Sequence, residues 1–129
     1  FNQIGIFSIA FSIWDTSLTA LMNLNKNDLV VVISNSGETK ELIKSAQWCR
    51  EQGVFVVSMT NHPKSPISLL SDIHLITATR ERIFQQDYYF SRISSMLLIE
   101  TLFLLLSFEN DSRLEKIRQH EKLIADSKI

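Results

Sequence analysis

Residues 30–43 read VVVISNSGETKELI, and the change of composition inside this stretch decides the fold. Residues 30–33 are continuously apolar, which is typical of a strand covered on both faces of a sheet. The next six residues, 34–39, are small or polar, and from Glu38 onward the apolar residues follow the spacing of an amphipathic helix. The stretch therefore predicts a strand, a short polar loop and a helix in immediate succession.

Similar patterns extend this arrangement in both directions. Apolar runs predict strands at residues 4–10, 29–34, 54–60 and 73–77. Helical patterns are predicted at residues 16–24, 38–52 and 67–70, with Asp15 as the N-cap of the first and Gly53 as the C-terminal cap of the second. Such alternation predicts a three-layer α/β sandwich in which helices cover both faces of a parallel sheet.

The last third of the sequence predicts helices of two different kinds. Residues 86–107 form one long helical pattern that is apolar on nearly all sides in its second half. Such a helix needs burial on most sides, and in so small a domain one way is against a second subunit. We therefore expect a homodimer or a higher homo-oligomer. Residues 108–129 are charged, and we expect them to form a surface helix or a frayed tail after a domain at residues 1–107.

Composition excludes several classes of protein. The chain has 129 residues, enough for one domain, and its 13 basic and 14 acidic residues give a net charge of -1, which offers no electrostatic case for binding nucleic acid. Cys49 is the single cysteine and fits a reducing compartment. The longest apolar run, 96–106, contains Glu100 and is shorter than the roughly 20 residues of a membrane span. We expect a soluble, cytoplasmic protein with no membrane partner.

The polar loop has the chemistry of an anion site. It lies between the end of a strand and the start of a helix, where backbone N–H groups converge. Ser34, Ser36 and Thr39 add hydroxyl donors, and Gly37 allows close approach of the backbone. The loop has no lysine, which favours a monoester phosphate held by neutral donors over a nucleotide. The alternative is that these serines and threonine only cap the helix.

The stretch VISNSGETKELIKSAQWCREQGVFVVSMTNHPKSPISLLSDIHL resembles the middle of a SIS (sugar isomerase) domain, and in particular the phosphosugar-sensing domain of RpiR-type bacterial transcriptional regulators. The matching elements are S-x-S-G-x-T at 34–39, TN-x-P-x-SP at 60–66 and L-x-D at 70–72. The resemblance covers residues 5–106 approximately. It implies a flavodoxin-like SIS fold and a loop that holds the phosphate of a phosphosugar. The implied binding residues are Ser34, Asn35, Ser36, Gly37, Glu38 and Thr39, and the carboxylate Glu81 is a further candidate.

The sequence also departs from the family pattern. A complete SIS domain is expected to begin with another strand, a glycine-containing turn and a helix, whose serine also contacts the ligand, and nothing before Phe1 supplies them. Regulators of this kind also carry an N-terminal helix-turn-helix domain. We therefore expect a fragment that lacks its first strand and helix and that binds DNA only through an absent N-terminal domain.

Two other functions are open to a SIS domain. One is catalysis as a sugar-phosphate isomerase or lyase, for which Glu38, Glu81 and His62 are the possible acids or bases. Glu38 at a helix start, Glu81 as a loop acid beside Arg80, and His62 beside Pro63 each have an ordinary structural explanation. The other is a dimerisation module that no longer binds a ligand.

No set of residues predicts a catalytic centre or a metal site. The three histidines are widely separated, and no histidine and acid accompany Ser36 as they would in a serine nucleophile. Tyr88 and Tyr89, at the start of the predicted long helix, are best explained by packing. We therefore predict a non-catalytic sensor without a cofactor, whose partner is a sugar-phosphate effector.

Overall fold

The computed structural model describes residues 1–77, 81–82, 88–89 and 92–127. The chain divides into two compact units. One is continuous in sequence, Phe11–Ser95, and the other combines Phe1–Ala10 with Met96–Ile129.

The continuous unit is built on a parallel sheet. Its strands are β1 (Leu29–Ile33), β2 (Phe55–Thr60) and β3 (Ile73–Ile76), in the order β1-β2-β3. In the register of β1 and β2, Leu29 lies beside Phe55. The neighbouring strands β1 and β2, and β2 and β3, run parallel. The carboxyl ends of the strands therefore lie at the same edge of the sheet. The predicted α/β class with a parallel sheet is confirmed.

Helices α1 (Trp14–Leu21), α2 (Lys40–Glu51) and α3 (Pro66–Leu69) contribute to the core of this unit. They bury an apolar cluster with the sheet, formed by Leu21, Val32, Ala46, Cys49, Val54, Val56 and Ile67. In α2 the predicted apolar stripe faces this cluster, while Lys40, Lys44 and Gln47 are exposed. Gly53, at φ 72°, has the left-handed conformation expected of the predicted C-terminal cap.

Two helix starts differ from the prediction. α1 begins at Trp14 with Ile13 at the N-cap, so the prediction of Asp15 as N-cap is wrong, because Asp15 already lies in the first turn. α2 begins at Lys40 with Thr39 at the N-cap, not at Glu38. The Glu38 N–H donates to Ser36 Oγ at 3.2 Å, which holds residues 36–38 as a turn of the loop.

The strand predicted at residues 4–10 is also wrong. Asn2–Ile4 form a short 3-10 turn, and the amide of Asn2 bonds to the backbone of Ser8 in both directions, donating to its carbonyl at 2.8 Å and accepting from its N–H at 3.0 Å. A strand exists only through bonds to a neighbouring strand, and no strand in the described part of the chain pairs with this segment. A local side chain takes the backbone bonds of Ser8 instead.

The long helix starts later than predicted. Tyr88–Tyr89 form β5, which pairs antiparallel with β4 (Glu81–Arg82), so their prediction as the start of a helix is wrong, because aromatic residues also favour strands. Residues 86, 87, 90 and 91 of the predicted helix lie outside the described residues. The observed helix, α4, spans Ile93–Phe108.

α4 presents much of its apolar surface to solvent within one chain. Met96, Leu97 and Leu105 are 68%, 65% and 64% exposed. The expected burial on most sides is therefore absent from the single chain, and burial against a second subunit stays a prediction. Among the described helices none is alone long and apolar enough to span a membrane. Taken together, the helices Ile93–Phe108 and Asp111–Ala125 reach the length and apolar composition of a membrane span, but the pair is bent by 110°.

The charged end of the chain forms α5 (Asp111–Asp126). Asn110 caps this helix, its Oδ1 accepting from the Ser112 N–H at 2.9 Å. Arg113 donates to Glu109 at 2.6 Å and also to the Leu106 carbonyl at 2.9 Å. A capped helix, not a frayed tail, therefore occupies these residues. The domain boundary predicted at residue 107 stays a prediction.

Candidate functional site

The loop at residues 34–39 connects β1 to α2 at the carboxyl edge of the sheet. The Ser34 N–H donates to the Met59 carbonyl at 3.0 Å and so continues the pairing of β1 with β2. The Asn61 N–H donates in turn to the Asn35 carbonyl at 3.0 Å. Backbone hydrogen bonds therefore attach the loop to Met59, within β2, and to Asn61, directly after β2.

The hydroxyl groups of the loop hold its turn. Ser34 Oγ accepts from the Gly37 N–H at 3.1 Å and lies 3.3 Å from Thr39 Oγ1. Ser36 Oγ accepts from the Glu38 N–H. Ser34 and Gly37 are buried, while Glu38 and Thr39 are exposed. The structure therefore brings the six predicted loop residues together around one small turn.

The first turn of α2 has no side-chain cap. Thr39 occupies the N-cap position, yet its side chain accepts no hydrogen bond from the helix. An uncapped helix start leaves backbone N–H donors at the positive end of the helix dipole. α2 has 12 residues, long enough for this dipole to attract an anion. The alternative that the loop hydroxyls cap α2 is not what this geometry shows, because Ser36 bonds to Glu38, ahead of the helix.

Gly37 holds the loop against the segment that follows β2. It has φ 68°, and its carbonyl accepts from the Ile67 N–H at 3.1 Å. A Cβ at this position would overlap the Ser65 side chain and lie 3.2 Å from Thr60 Cγ2. Glycine is therefore required both by the left-handed backbone and by the close packing.

A cluster of polar side chains at the end of β2 and after it packs against Gly37 of the loop. Thr60 Oγ1 donates to the His62 carbonyl at 3.0 Å and lies 2.8 Å from His74 Nε2 and 3.3 Å from Ser65 Oγ. Ser65 Oγ also accepts from the Ser68 N–H at 3.3 Å and caps α3. His74 therefore has a structural hydrogen bond. Thr60 and Ser65 were missed as supporting residues, and their signal was the polar segment TNHPKSP directly after a strand.

Asn61 is a second residue that the sequence did not single out. Its Oδ1 accepts from Thr77 Oγ1 at 2.7 Å. Its Nδ2 has no hydrogen-bond partner among the described residues, although Asn61 is only 8% exposed. Asn61 belongs to the TN-x-P-x-SP segment, but an asparagine after a strand is ordinary turn chemistry and does not by itself indicate this role.

The remaining predicted candidates are less closely defined. For Glu81 the structure describes the backbone, which pairs with Tyr89, and a role in binding stays a prediction. His62 is half-buried, and its backbone carbonyl and N–H both bond to the Thr60 hydroxyl. Within the described ranges, no group of three His, Cys, Asp or Glu side chains is arranged to hold a metal ion.

A parallel sheet with a hydroxyl-rich loop and an uncapped helix start at its carboxyl edge is the arrangement of α/β domains that bind small ligands. The family model of the SIS domain matches residues 1–105. The chain belongs to the SIS domain family, and the predicted resemblance is confirmed.

Similar sequences include regulators of transcription. The chain is 34% identical over 107 residues to an uncharacterized HTH-type transcriptional regulator of Caldanaerobacter subterraneus subsp. tengcongensis, covering 83% of this chain and 38% of that protein. It is also 34% identical over 98 residues to an uncharacterized HTH-type transcriptional regulator of Bacillus subtilis, covering 74% and 35%. The chain thus spans well under half the length of these relatives.

Solved structures with a similar fold are also known. The Vibrio vulnificus NanR protein, solved in complex with ManNAc-6P, superposes with a TM-score of 0.83 at 26% identity, covering 98% of this chain and 48% of NanR. The sugar isomerase domain of the RpiR transcription factor from Sphaerobacter thermophilus has a TM-score of 0.72 at 19% identity, covering 94% and 66%. The second comparison concerns the fold alone.

Proposed function

We propose that this chain is the phosphosugar-binding effector domain of an RpiR-type transcriptional regulator. A sugar phosphate binds at residues 34–39 and changes how a helix-turn-helix domain of the same regulator binds DNA. The regulator acts in the cytoplasm as a homodimer or higher homo-oligomer, without a membrane partner. The observation that carries the proposal is the uncapped start of α2 beside the hydroxyls of Ser34, Ser36 and Thr39.

The donors of this site suit a phosphate monoester. Ser36 and Thr39 offer hydroxyl groups near an exposed helix start, and the backbone N–H groups of α2 add donors that the side chain of the N-cap residue, Thr39, does not occupy. Hydrogen bonds to a charged acceptor contribute about 1.5–3 kcal/mol each, so a few of them hold a phosphate without a positively charged side chain. The absence of lysine from the loop fits a small ligand better than a nucleotide.

The similar proteins favour the same effector class. The relatives described above are named HTH-type transcriptional regulators, and NanR, at 26% identity, was solved with ManNAc-6P. Carried over to this chain, that likeness argues for a sugar phosphate as the effector.

We propose a non-catalytic role. Moving a proton between adjacent carbons of a sugar requires a base within reach of the substrate. His74 Nε2 is occupied by Thr60 Oγ1, and Glu38 lies on the exposed side of the loop. The isomerase alternative predicts turnover, which NMR of the bound sugar phosphate would detect as a second isomer. Unchanged spectra over many hours are expected.

The proposal is tested by calorimetry with ManNAc-6P and a panel of hexose and pentose phosphates, each beside the same sugar without phosphate. We expect at least one phosphorylated sugar to bind about a hundredfold more tightly than its unphosphorylated form, because at least two charged hydrogen bonds are lost without the phosphate. If every pair binds equally, or if no member binds, the proposed function is wrong.

A further inference from the structure

Among the described residues, Asn61 carries a polar side-chain group without a hydrogen-bond partner, next to the end of β2. Its backbone N–H donates to the Asn35 carbonyl, so Asn61 adjoins the loop through the backbone. Its side-chain oxygen accepts from Thr77 Oγ1 at 2.7 Å, and its Nδ2 has no partner within the described part of the chain.

A buried donor without an acceptor is costly. Leaving such a group unsatisfied costs about 1–3 kcal/mol, so an acceptor is expected from something that binds there. Ser45 Oγ and Ser58 Oγ also lack partners among the described residues, but they lie in the middle of α2 and of β2. Asn61 follows the last residue of β2, at the edge where the loop lies.

The strand geometry separates the Asn61 amide from the loop hydroxyls. The pairing of Ile33 with Met59 brings Ser34 beside Thr60 in the next position of the register. Successive side chains of a strand project to opposite faces, so Asn61 projects away from the face of Thr60 and Ser34. The bond between Asn61 and Thr77, one position after the pairing of Thr60 with Ile76, agrees with this arrangement.

We propose that Asn61 Nδ2 donates a hydrogen bond to an oxygen of the sugar part of the ligand, an inference that rests on the proposed function. The site then takes a phosphate monoester whose carbon chain carries a carbonyl or hydroxyl oxygen. The phosphate lies at the start of α2, and the chain crosses the carboxyl ends of β1 and β2 to reach Asn61. Asn61 is a specificity-determining residue, because inorganic phosphate cannot make this contact.

The test measures two affinities in the full chain: that of the tightest-binding sugar phosphate of the panel and that of inorganic phosphate. Asn61→Leu removes the amide with little change of volume. Asn61→Asp keeps an acceptor for Thr77 and replaces only the donor. Both variants should lower the ratio of sugar-phosphate affinity to phosphate affinity roughly three- to tenfold, the value of one hydrogen bond. The ratio cancels any general repulsion between the introduced carboxylate and phosphate.

Thr77→Val is the matched control, because it breaks the same bond from the other side without touching the Asn61 amide. It should lower the melting temperature and lower the affinity ratio by less than the Asn61 variants do, because the amide keeps its donor and loses only the bond that orients it. An unchanged ratio in both Asn61 variants, or a fall in Thr77→Val as large as theirs, would overturn the assignment. Failure of the proposed function is a different result, since the wild type would then not prefer phosphorylated sugars in the first place.

Discussion

At the scale of single residues, Gly37 joins the loop to the segment that follows β2. Its left-handed backbone sets the turn, its carbonyl accepts from the Ile67 N–H, and its missing side chain leaves room for Ser65. Gly53 has almost the same backbone conformation, at φ 72°, but no atom lies within 4 Å of the position of its Cβ. The two glycines therefore separate backbone strain from steric overlap.

We expect Gly37→Ala to lower the free energy of unfolding by about 2–4 kcal/mol, from left-handed strain of about 1 kcal/mol and overpacking of about 1–3 kcal/mol. Gly53→Ala should lower it by only about 1 kcal/mol. Urea denaturation followed by circular dichroism measures both. Equal losses in the two variants would mean that Ser65 moves aside freely.

The hydroxyl of Ser36 tests the site with the least structural disturbance, since its described bond is to the Glu38 N–H within the exposed turn. Ser36→Ala should weaken sugar-phosphate binding roughly tenfold or more, through loss of one charged hydrogen bond. Affinity for the unphosphorylated sugar should not change. If Ser36→Ala and Thr39→Ala melt earlier but bind the sugar phosphate as the wild type does, the loop serves only to start the helix.

At the scale of elements, α2 buries Cys49 completely, and this burial raises the pKa of its thiol from 9.0 to about 11. Between these values the thiol ionises in the unfolded chain and stays neutral in the folded one. Ionisation therefore favours unfolding, and the stability that the neutral thiol contributes is complete below pH 9 and declines as the pH rises towards 11.

We expect the stability difference between wild type and Cys49→Ala to shrink by about 2–3 kcal/mol from pH 8.5 to pH 11, an order-of-magnitude value from the pKa shift. Subtracting the variant removes the contributions that the two proteins share. Thermal melts across this range supply the measurement. A constant difference would show that the thiol ionises in the folded protein as easily as in the unfolded one.

The elements also divide into those that the sequence predicts and those that it does not. β1, the loop and α2 follow from local patterns, since the apolar run and the apolar stripe of α2 are each complete within the segment. Residues 4–10 have the composition of a strand, but a strand depends on a neighbour elsewhere in the chain, and the amide of Asn2 is a competing local partner.

The loop residues of the candidate site were predicted because one short motif contains them. Thr60, Ser65 and Asn61 were not, because their contacts with the loop join residues that are more than 20 positions apart. Only the folded register of β1 and β2 brings these residues together. Asn61 in addition depends on Thr77 at the end of another strand.

At the scale of the whole molecule, the exposed apolar side of α4 is the strongest argument for self-association, because such surface is usually covered by a partner. We expect a dimer or higher oligomer in sedimentation at micromolar concentration. Leu105→Glu should shift it towards monomer with little loss of stability, since Leu105 is already 64% exposed in the single chain. Leu69→Glu, at 68% exposure on α3, is the control and should not dissociate it. A monomeric wild type would contradict the prediction.

DNA should not bind to residues 1–129 with useful affinity. The net charge is -1, and basic residues alternate with acidic ones along α5, so few phosphates could be contacted at once. An electrophoretic mobility assay at low salt checks this. A sequence-specific shift by this chain alone would show that DNA recognition does not depend on a separate helix-turn-helix domain.

The division of the chain into a continuous unit and a unit made from both ends has a consequence for synthesis on the ribosome. Phe11–Ser95 contains all three strands of the parallel sheet, so this unit can fold once its last residue has left the exit tunnel. Phe1–Ala10 leave the tunnel before this unit, whereas the rest of their own unit, Met96–Ile129, leaves it afterwards. At about 5–20 residues per second, the side chain of Ile4, which is buried in the folded structure, stays without that later part of its unit for several seconds. Residues 1–10 are therefore a stretch of the nascent chain that a chaperone can shield during this interval.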